Sequence, residues 1–450
     1  MAFYIKKKVK NSVADVQPLQ GIRYSSDTVG DLVQVVTPPY DVISEEDQAR
    51  YYARSPYNII RLELGKEEPG DTSLNNRYTR AAAIFGEWRR NDILRQEAAP
   101  CYYLYQQIFN HDGQTYTRTS ILARVRLEPW SAKVVLPHET THSKAKDDRL
   151  RLLRACAANF SPIMSMYEDP QGRIRRLLAA HAANAEVQFT DEVNEHHRLH
   201  LFTDPTQIAL IQNFFAERQL YIADGHHRYE TALNYREEIQ EQRRYIHEND
   251  AVNFVLMALI DVDDPGLLVL PTHRLLIGLS PEALSALSSQ QLAEYFTVRE
   301  LGTRVSSEAI LGQLAQAGKE ETSFVISTPE QNWLLRLNEQ GKRRMEQSSH
   351  STAWNELDVA VVHTLLLEDL LSISQEDVTA GKYIRYTRDA QEALQAVKTG
   401  EATRVQGALI LNATRVRQVC DVAQADDRMP QKSTYFYPKL ITGLVMNPVW

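Results

Sequence analysis

A mixed α/β (α+β) fold divided into two or three domains is what this sequence predicts, and three observations carry it. The chain has 450 residues, more than one hydrophobic core usually serves. Its hydrophobic fraction of 43% and charged fraction of 24% are those of a globular chain. Strand-like and helical patterns alternate along its length. The expected divisions are an N-terminal mixed α/β domain over 1–130, a central domain over 131–280 and a C-terminal α/β domain over 281–450.

In the first division, Val33–Val36 reads as an extended run stopped by Pro38-Pro39, since adjacent prolines cannot continue a strand ladder. Ser44 with Asp47 predicts a capped helix start. Tyr78, Ala81, Ala82, Phe85 and Trp88 recur at helical spacing. Tyr102–Phe109 and Thr115–Val125 read as two strands around a turn at His111-Asp112-Gly113. In the second division, Val134–Leu136 is strand-like and Asp147–Ala157 helical. Asp204-Pro205 starts a helix that ends near Arg218, and Leu220–Ala223 is a short buried strand broken by Gly225. Tyr229, Ala232, Leu233 and Ile239 then recur on one helical face, with a solvated charge run over Arg236–Arg244. His196–His200 lies on an alternating strand, where metal binding is one reading and an exposed histidine face the ordinary one. In the third division, Asp389–Val397 and Arg415–Ala423 are helical, Gly407–Leu411 is an apolar strand, and Tyr435-Phe436-Tyr437 reads as a core strand.

The bulk numbers exclude several classes. A net charge of −8 argues against a nucleic-acid partner, which needs a concentrated basic surface. Three scattered cysteines without a CxxC pair give neither a disulfide framework nor a thiolate metal site, and fit a reducing cytoplasmic location. Lys6–Lys10 is followed by no apolar stretch of signal-peptide length. The longest apolar run, near Ala251–Ile260, is too short to span a bilayer, so no membrane partner is expected.

One segment stands out for chemistry. Asp224-Gly225-His226-His227-Arg228 joins a strand to a helix through a glycine turn. A helix start offers free N–H groups and partial positive charge to an anion. Gly225 lets a ligand approach the backbone, Arg228 can hold a phosphate through two parallel bonds, and His226 and His227 can donate or shuttle protons near neutral pH. A capped helix with hydrogen-bonded histidines is the bland alternative, but His-His-Arg beside a glycine turn is hard to justify for packing alone.

His138-Glu139-Thr140-Thr141-His142 matches a zinc-protease spacing in which two histidines share a helical face and the glutamate acts as base. Pro137 and the two threonines suit a helix poorly there, and the motif keeps a second use in a phosphate site. Lys432-Ser433-Thr434 can bind phosphate, though no glycine-rich loop precedes it. Arg149, within the run from Lys144, and Arg274, in Pro271-Thr272-His273-Arg274, are candidate substrate contacts, with a helix start and a salt bridge as their ordinary explanations.

Together these segments closely resemble the bacterial domain of unknown function 1015 family. The matching stretches are Pro38–Ile43, Asn58–Leu62, Leu136–Glu139, Asp148–Leu150, Ala223–Ala232, Pro271–Arg274 and Pro430–Leu440. That family label implies no activity, and His142 departs from the family's usual pattern. The strand–Asp-Gly-His-His-Arg–helix segment is also similar to the phosphate-binding motif of the ParB/sulfiredoxin-like superfamily, whose free-serine kinases carry a very similar run. The likeness implies a central phosphate-binding unit in which residues 224–228 contact nucleotide phosphates. His226 stands where sulfiredoxin's reactive cysteine would fall, and DNA-binding helices are not evident, so the small-molecule kinase branch is what the likeness leaves.

The expectation is therefore a small-molecule phosphotransferase, a serine kinase-like enzyme or the reverse phosphoserine phosphatase. It would use ATP, ADP or pyrophosphate with Mg²⁺. Glu139, Asp224 and Glu230 are the candidate carboxylates; His226 and His227 are both catalytic and phosphate-holding candidates; Gly225, Arg228, Lys432, Ser433 and Thr434 complete the phosphate site; His138, Arg149 and Arg274 are candidate substrate contacts. Two alternatives stay open: a metal-dependent hydrolase built on His138, Glu139 and His142, and a non-enzymatic nucleotide-sensing module.

Overall fold

A computed structural model of the chain describes residues 13–141, 143–183, 185–243, 245–303, 305–399 and 404–450, with the backbone alone at 143–145. His142, Lys6–Lys10, Arg244 and the Lys144 side chain lie outside this description. The fold is mixed α/β with several sheets. The chain forms two compact units. The first comprises residues up to Pro137, Thr141–Leu268 and Pro438–Trp450; the second comprises His138–Thr140 and Val269–Tyr437.

A nine-stranded sheet is the frame of the first unit. Its order is Val135–Leu136, Leu220–Asp224, Ile163–Tyr167, Phe254–Asp261, Gln114–Arg126, Tyr102–His111, His196–Phe202 and Val187–Thr190, and Val16–Gln17 also pairs with Gln114–Arg126. The long hairpin of this sheet turns at Asp112 and Gly113, with φ of 48° and 74°. Two successive left-handed residues match the twist of the flanking strands. The apolar run near Ala251–Ile260 becomes Phe254–Asp261, buried on both faces at the middle of the sheet. Among the described residues, no helix is long and apolar enough to cross a membrane.

Local signals decide most elements here. Ser44 and Asp47 form the capping box of Glu45–Arg54. Asp204 caps Pro205–Phe215 by accepting from Thr206 N and Gln207 N. Val33–Val36 differs from its expected extended form. Asp31 accepts from Val33 N and winds Leu32–Gln34 into a 3-10 turn, while the carbonyls of Gln34 and Val35 accept from Asn58 Nδ2 and Ile59 N. A polar cap and a neighbouring loop thus take the backbone groups that a sheet would have used.

The second unit holds a six-stranded antiparallel sheet ordered Phe296–Glu300, Asn332–Leu337, Ser323–Ser327, Val405–Leu411, His273–Ile277 and Ile384–Thr387. Helices Ser307–Ala317 and Ala390–Lys398 bury Ile310, Leu314, Ala393, Leu394 and Val397 against Val325, Leu334 and Ile410. A π-helical stretch runs over Val362–Leu370.

Helix His226–Arg243 of the first unit is seated by Tyr229, which is fully buried. The Tyr229 hydroxyl donates to Glu128 O and accepts from Glu128 N, both at 2.9 Å, and its ring stacks on Trp130 at 4.5 Å. Replacing Tyr229 by Phe leaves two part-buried backbone groups without their partner. The expected cost is about 1–3 kcal/mol in denaturant unfolding; an unchanged midpoint would show that the hydroxyl does not seat the helix.

Candidate functional site

Strand Leu220–Asp224 pairs with Ile163–Tyr167, and its register shifts between Ile222 and Asp224. An irregularity there re-aims the last side chain of a strand. Gly225 follows with φ of +101°, a conformation that suits glycine, and helix His226–Arg243 begins at once. A Cβ on Gly225 would lie 2.9 Å from Arg228 Nη2. The Arg228 side chain therefore folds back over bare backbone. From there Nη2 donates to Asp224 Oδ2 at 3.0 Å and Nη1 to Pro162 O at 2.7 Å.

The other Asp224 oxygen accepts from Lys439 Nζ at 2.9 Å. Burial alone would raise the Asp224 carboxyl, but Lys439, Arg228 and then His226 outweigh it and hold it well below the usual carboxylate range. Asp224 is thus a fixed anion that gathers two cations at a helix start. His226 is buried and His227 half-buried. Arg149 stands nearby in charge. Its guanidinium lies 4.0 Å over the Tyr40 ring, and burial raises the Tyr40 hydroxyl against the opposing pull of Arg149 and Arg228. Arg149 also donates to Glu63 O at 3.0 Å and to Asp148 Oδ2 at 2.7 and 2.5 Å. A cavity of about 40 Å³, room for a few waters, is lined by Glu63, Arg149, Asn159, Ser161, Arg228 and Thr231 among others. The buried Thr231 hydroxyl there has no hydrogen-bond partner.

Glu230, one residue past Tyr229, turns elsewhere. Its carboxylate accepts from Lys146 at 2.8 Å and from Thr141 at 2.5 Å. Burial would raise it, but these two donors and Trp130 bring it below its usual value. In the second unit, His138 is fully buried with Nε2 3.2 Å from Thr434 Oγ1, and that hydroxyl donates to Glu139 Oε1 at 3.3 Å. The Ser433 hydroxyl donates to Pro430 O at 2.5 Å, and Lys432 sits at φ of 56°. His138, Glu139 and Thr434 are thus collected in one cluster, while the Ser433 hydroxyl is turned to Pro430. Arg274 is buried on strand His273–Ile277, where it donates to Thr272 O at 2.7 Å and lies 5.8 Å from the Tyr386 ring centre.

The zinc-protease reading of His138-Glu139-Thr140-Thr141-His142 is corrected on geometry. Residues 137–141 are not helical, and the next helix begins at Ser143. The shared helical face required by that spacing is not formed, and His142 lies outside the described residues. Sequence reasoning missed Lys439. It picked Lys432 because two hydroxyls follow it. No signal around Lys439 points to Asp224, 215 residues away in the chain.

Residues 16–360 match the family described as "Protein of unknown function (DUF1015)". The chain belongs to this family. No curated protein matches this DUF1015 chain. Six solved chains do. A free serine kinase in complex with AMP is 11% identical, with a TM-score of 0.34, covering 70% of this chain and 86% of that one. A conserved hypothetical protein from Pyrococcus furiosus is 12% identical, with a TM-score of 0.33 and coverage of 71% and 92%. SbnI with a C-terminal truncation, from Staphylococcus aureus, is 10% identical, with a TM-score of 0.34 and coverage of 71% and 85%.

The Lys439–Asp224 pair gives the DUF1015 site a measurable stake. Lys439→Met leaves a largely buried carboxylate with one cation instead of two, at an expected cost of about 2–3 kcal/mol at pH 7. A depressed carboxyl stabilises the fold above its unfolded pKa of about 3.9 and loses that contribution as pH falls through its folded value. The gap between wild type and variant should therefore hold from pH 7 to about pH 4 and shrink only as denaturant unfolding is carried below about pH 3.9. A gap that widens on acidification would contradict the pairing.

Proposed function

We propose that the Asp224–Arg228 junction with Lys439 binds a phosphoryl group, and that the protein is a small-molecule phosphotransferase. The observation that carries this reading is the meeting of Lys439 and Arg228 on Asp224, at the start of an 18-residue helix entered through Gly225. Each part suits a phosphate. The first-turn N–H groups and the helix dipole favour an anion. Gly225 keeps the backbone bare, Arg228 offers a planar fork and Lys439 a point charge. Asp224 holds both cations in advance, so little reorganisation remains when charge develops on the transferred group.

A nucleotide or pyrophosphate would supply the phosphoryl group, with Mg²⁺ carried on its oxygens. Asp224 has both oxygens engaged by cations, so it serves as their anchor rather than as the base for an acceptor hydroxyl. His226 and His227, at the helix start, are the groups proposed to move that proton. Serine is the proposed acceptor, on the resemblance of Asp-Gly-His-His-Arg to the run in free-serine kinases. Hydrolysis of a phosphoserine-like compound would use the same contacts.

The test is isothermal titration with ATP, ADP, CTP and pyrophosphate plus Mg²⁺, on wild type and Arg228→Ala. Micromolar binding by at least one of them, weakened at least about tenfold in the variant by loss of a charge-assisted contact, is the expected result. Phosphorus NMR with serine then reads transfer. No binding of any of the four to the intact protein would overturn the proposal, and binding without transfer to any hydroxyl compound would leave a nucleotide-sensing module.

A further inference from the structure

A second cluster in the first unit is built from one hairpin. Strands Val187–Thr190 and His196–Phe202 pair antiparallel, and the turn between them is closed by Asp191 N to Glu195 O at 2.9 Å. Glu195 and His197 are two residues apart, which places them on one side of an extended chain. Asp191 joins them across the turn. One donor atom from each of Asp191, Glu195 and His197 lies within 4.8 Å of the others.

These are not loose surface acids. Glu195 is 7% exposed and His197 1%. His197 Nδ1 is 2.9 Å from the Tyr105 hydroxyl, and its ring is stacked between Phe189 and Tyr105 at centroid distances of 4.8 and 6.0 Å. The orientation of the ring is thereby fixed. Its other nitrogen, Nε2, is buried without a hydrogen-bond partner, 3.3 Å from Asp191 Oδ2. Asp191 Oδ1 is occupied by Val193 N at 3.0 Å and Glu195 N at 2.8 Å, so Oδ2 is the oxygen turned to His197. Glu195 Oε2 has Gln107 Nε2 at 3.5 Å.

We propose that Asp191, Glu195 and His197 hold a divalent first-row transition-metal cation. Two carboxylate oxygens and one imidazole nitrogen suit Zn²⁺ or Mn²⁺. Two ligand atoms each about 2.1 Å from an ion, at roughly a right angle, lie about 3 Å apart, close to the 3.3 Å between Nε2 and Oδ2. Tyr105 supplies the outer contact that a metal-bound histidine usually has on its other nitrogen. Arg118 is the buried cation of this neighbourhood. It donates to Gln107 Oε1, and its charge acts on both Glu195 and His197. Two carboxylates exceed that single charge, and the cation would neutralise the surplus.

The test uses the full chain without a histidine tag, stripped with EDTA and titrated separately with Zn²⁺ and Mn²⁺. One equivalent of either ion should bind and raise the melting temperature. Glu195→Gln, close in shape, should weaken binding at least about 100-fold, and Tyr105→Phe about 10- to 100-fold. Crystals soaked in Mn²⁺ should give an anomalous peak between Asp191, Glu195 and His197, which keeps the test decisive if a variant fails to fold. No stoichiometric binding of either ion, unchanged affinity in a folded Glu195→Gln protein, or a peak elsewhere would overturn the proposal.

Discussion

The carboxylate of Asp224, held between Lys439 and Arg228, is the interaction on which the candidate site depends. A charge withdrawn from water needs partners, and removing one partner costs far more than the pair gains. Here the anion closes a strand, one cation lies a helical turn ahead and the other comes from a segment more than 200 residues later. The irregular end of the strand and the left-handed Gly225 both follow from the need to bring these groups together. A side chain at Gly225 would be strained at φ of +101° and would displace the Arg228 guanidinium; without Asp224, two cations would face each other across a helix start that is itself positive.

Around this centre the first unit arranges further charge in balanced steps. Arg149 is satisfied by Glu63 and Asp148, and Asp148 also accepts from Arg77 and the Tyr78 hydroxyl. The same logic runs through Gln107, whose amide donates to Lys439 O at 3.0 Å and lies 3.5 Å from Glu195. Gln107 thus ties the backbone of the Lys439 segment to the Asp191–Glu195–His197 hairpin. Burial sets the character of that second cluster, pushing the Glu195 carboxyl up to about 7, with Asp191 adding to the rise and Arg118 opposing it.

Much of the local structure was legible in the sequence because short-range chemistry decides it. Ser44 with Asp47, Asp204 with Pro205, and the Asp112-Gly113 turn act within a few residues and form as expected. The strand–glycine–helix order at Leu220–Arg228 was equally plain. Contacts made over long separations were not. Nothing near Lys439 announces Asp224, and nothing near Val33 shows that Asn58 will take a carbonyl beside it. His197 read as part of an exposed histidine face because alternation gives the two faces but not which one is buried; Tyr105 and Phe189 decide that from other strands. The His138-Glu139 spacing failed for a local reason, since Pro137 precedes it and residues 137–141 are non-helical.

The central claim is that a phosphoryl group binds where Lys439 and Arg228 meet at the start of the helix. A crystal structure of the protein grown with ADP and Mg²⁺ tests it most directly. The account predicts phosphate oxygens within about 3 Å of Lys439 Nζ or the Arg228 guanidinium and of a first-turn backbone N–H. Phosphates bound elsewhere, with the Lys439–Asp224–Arg228 contacts untouched, would contradict it and leave those contacts a purely structural clasp.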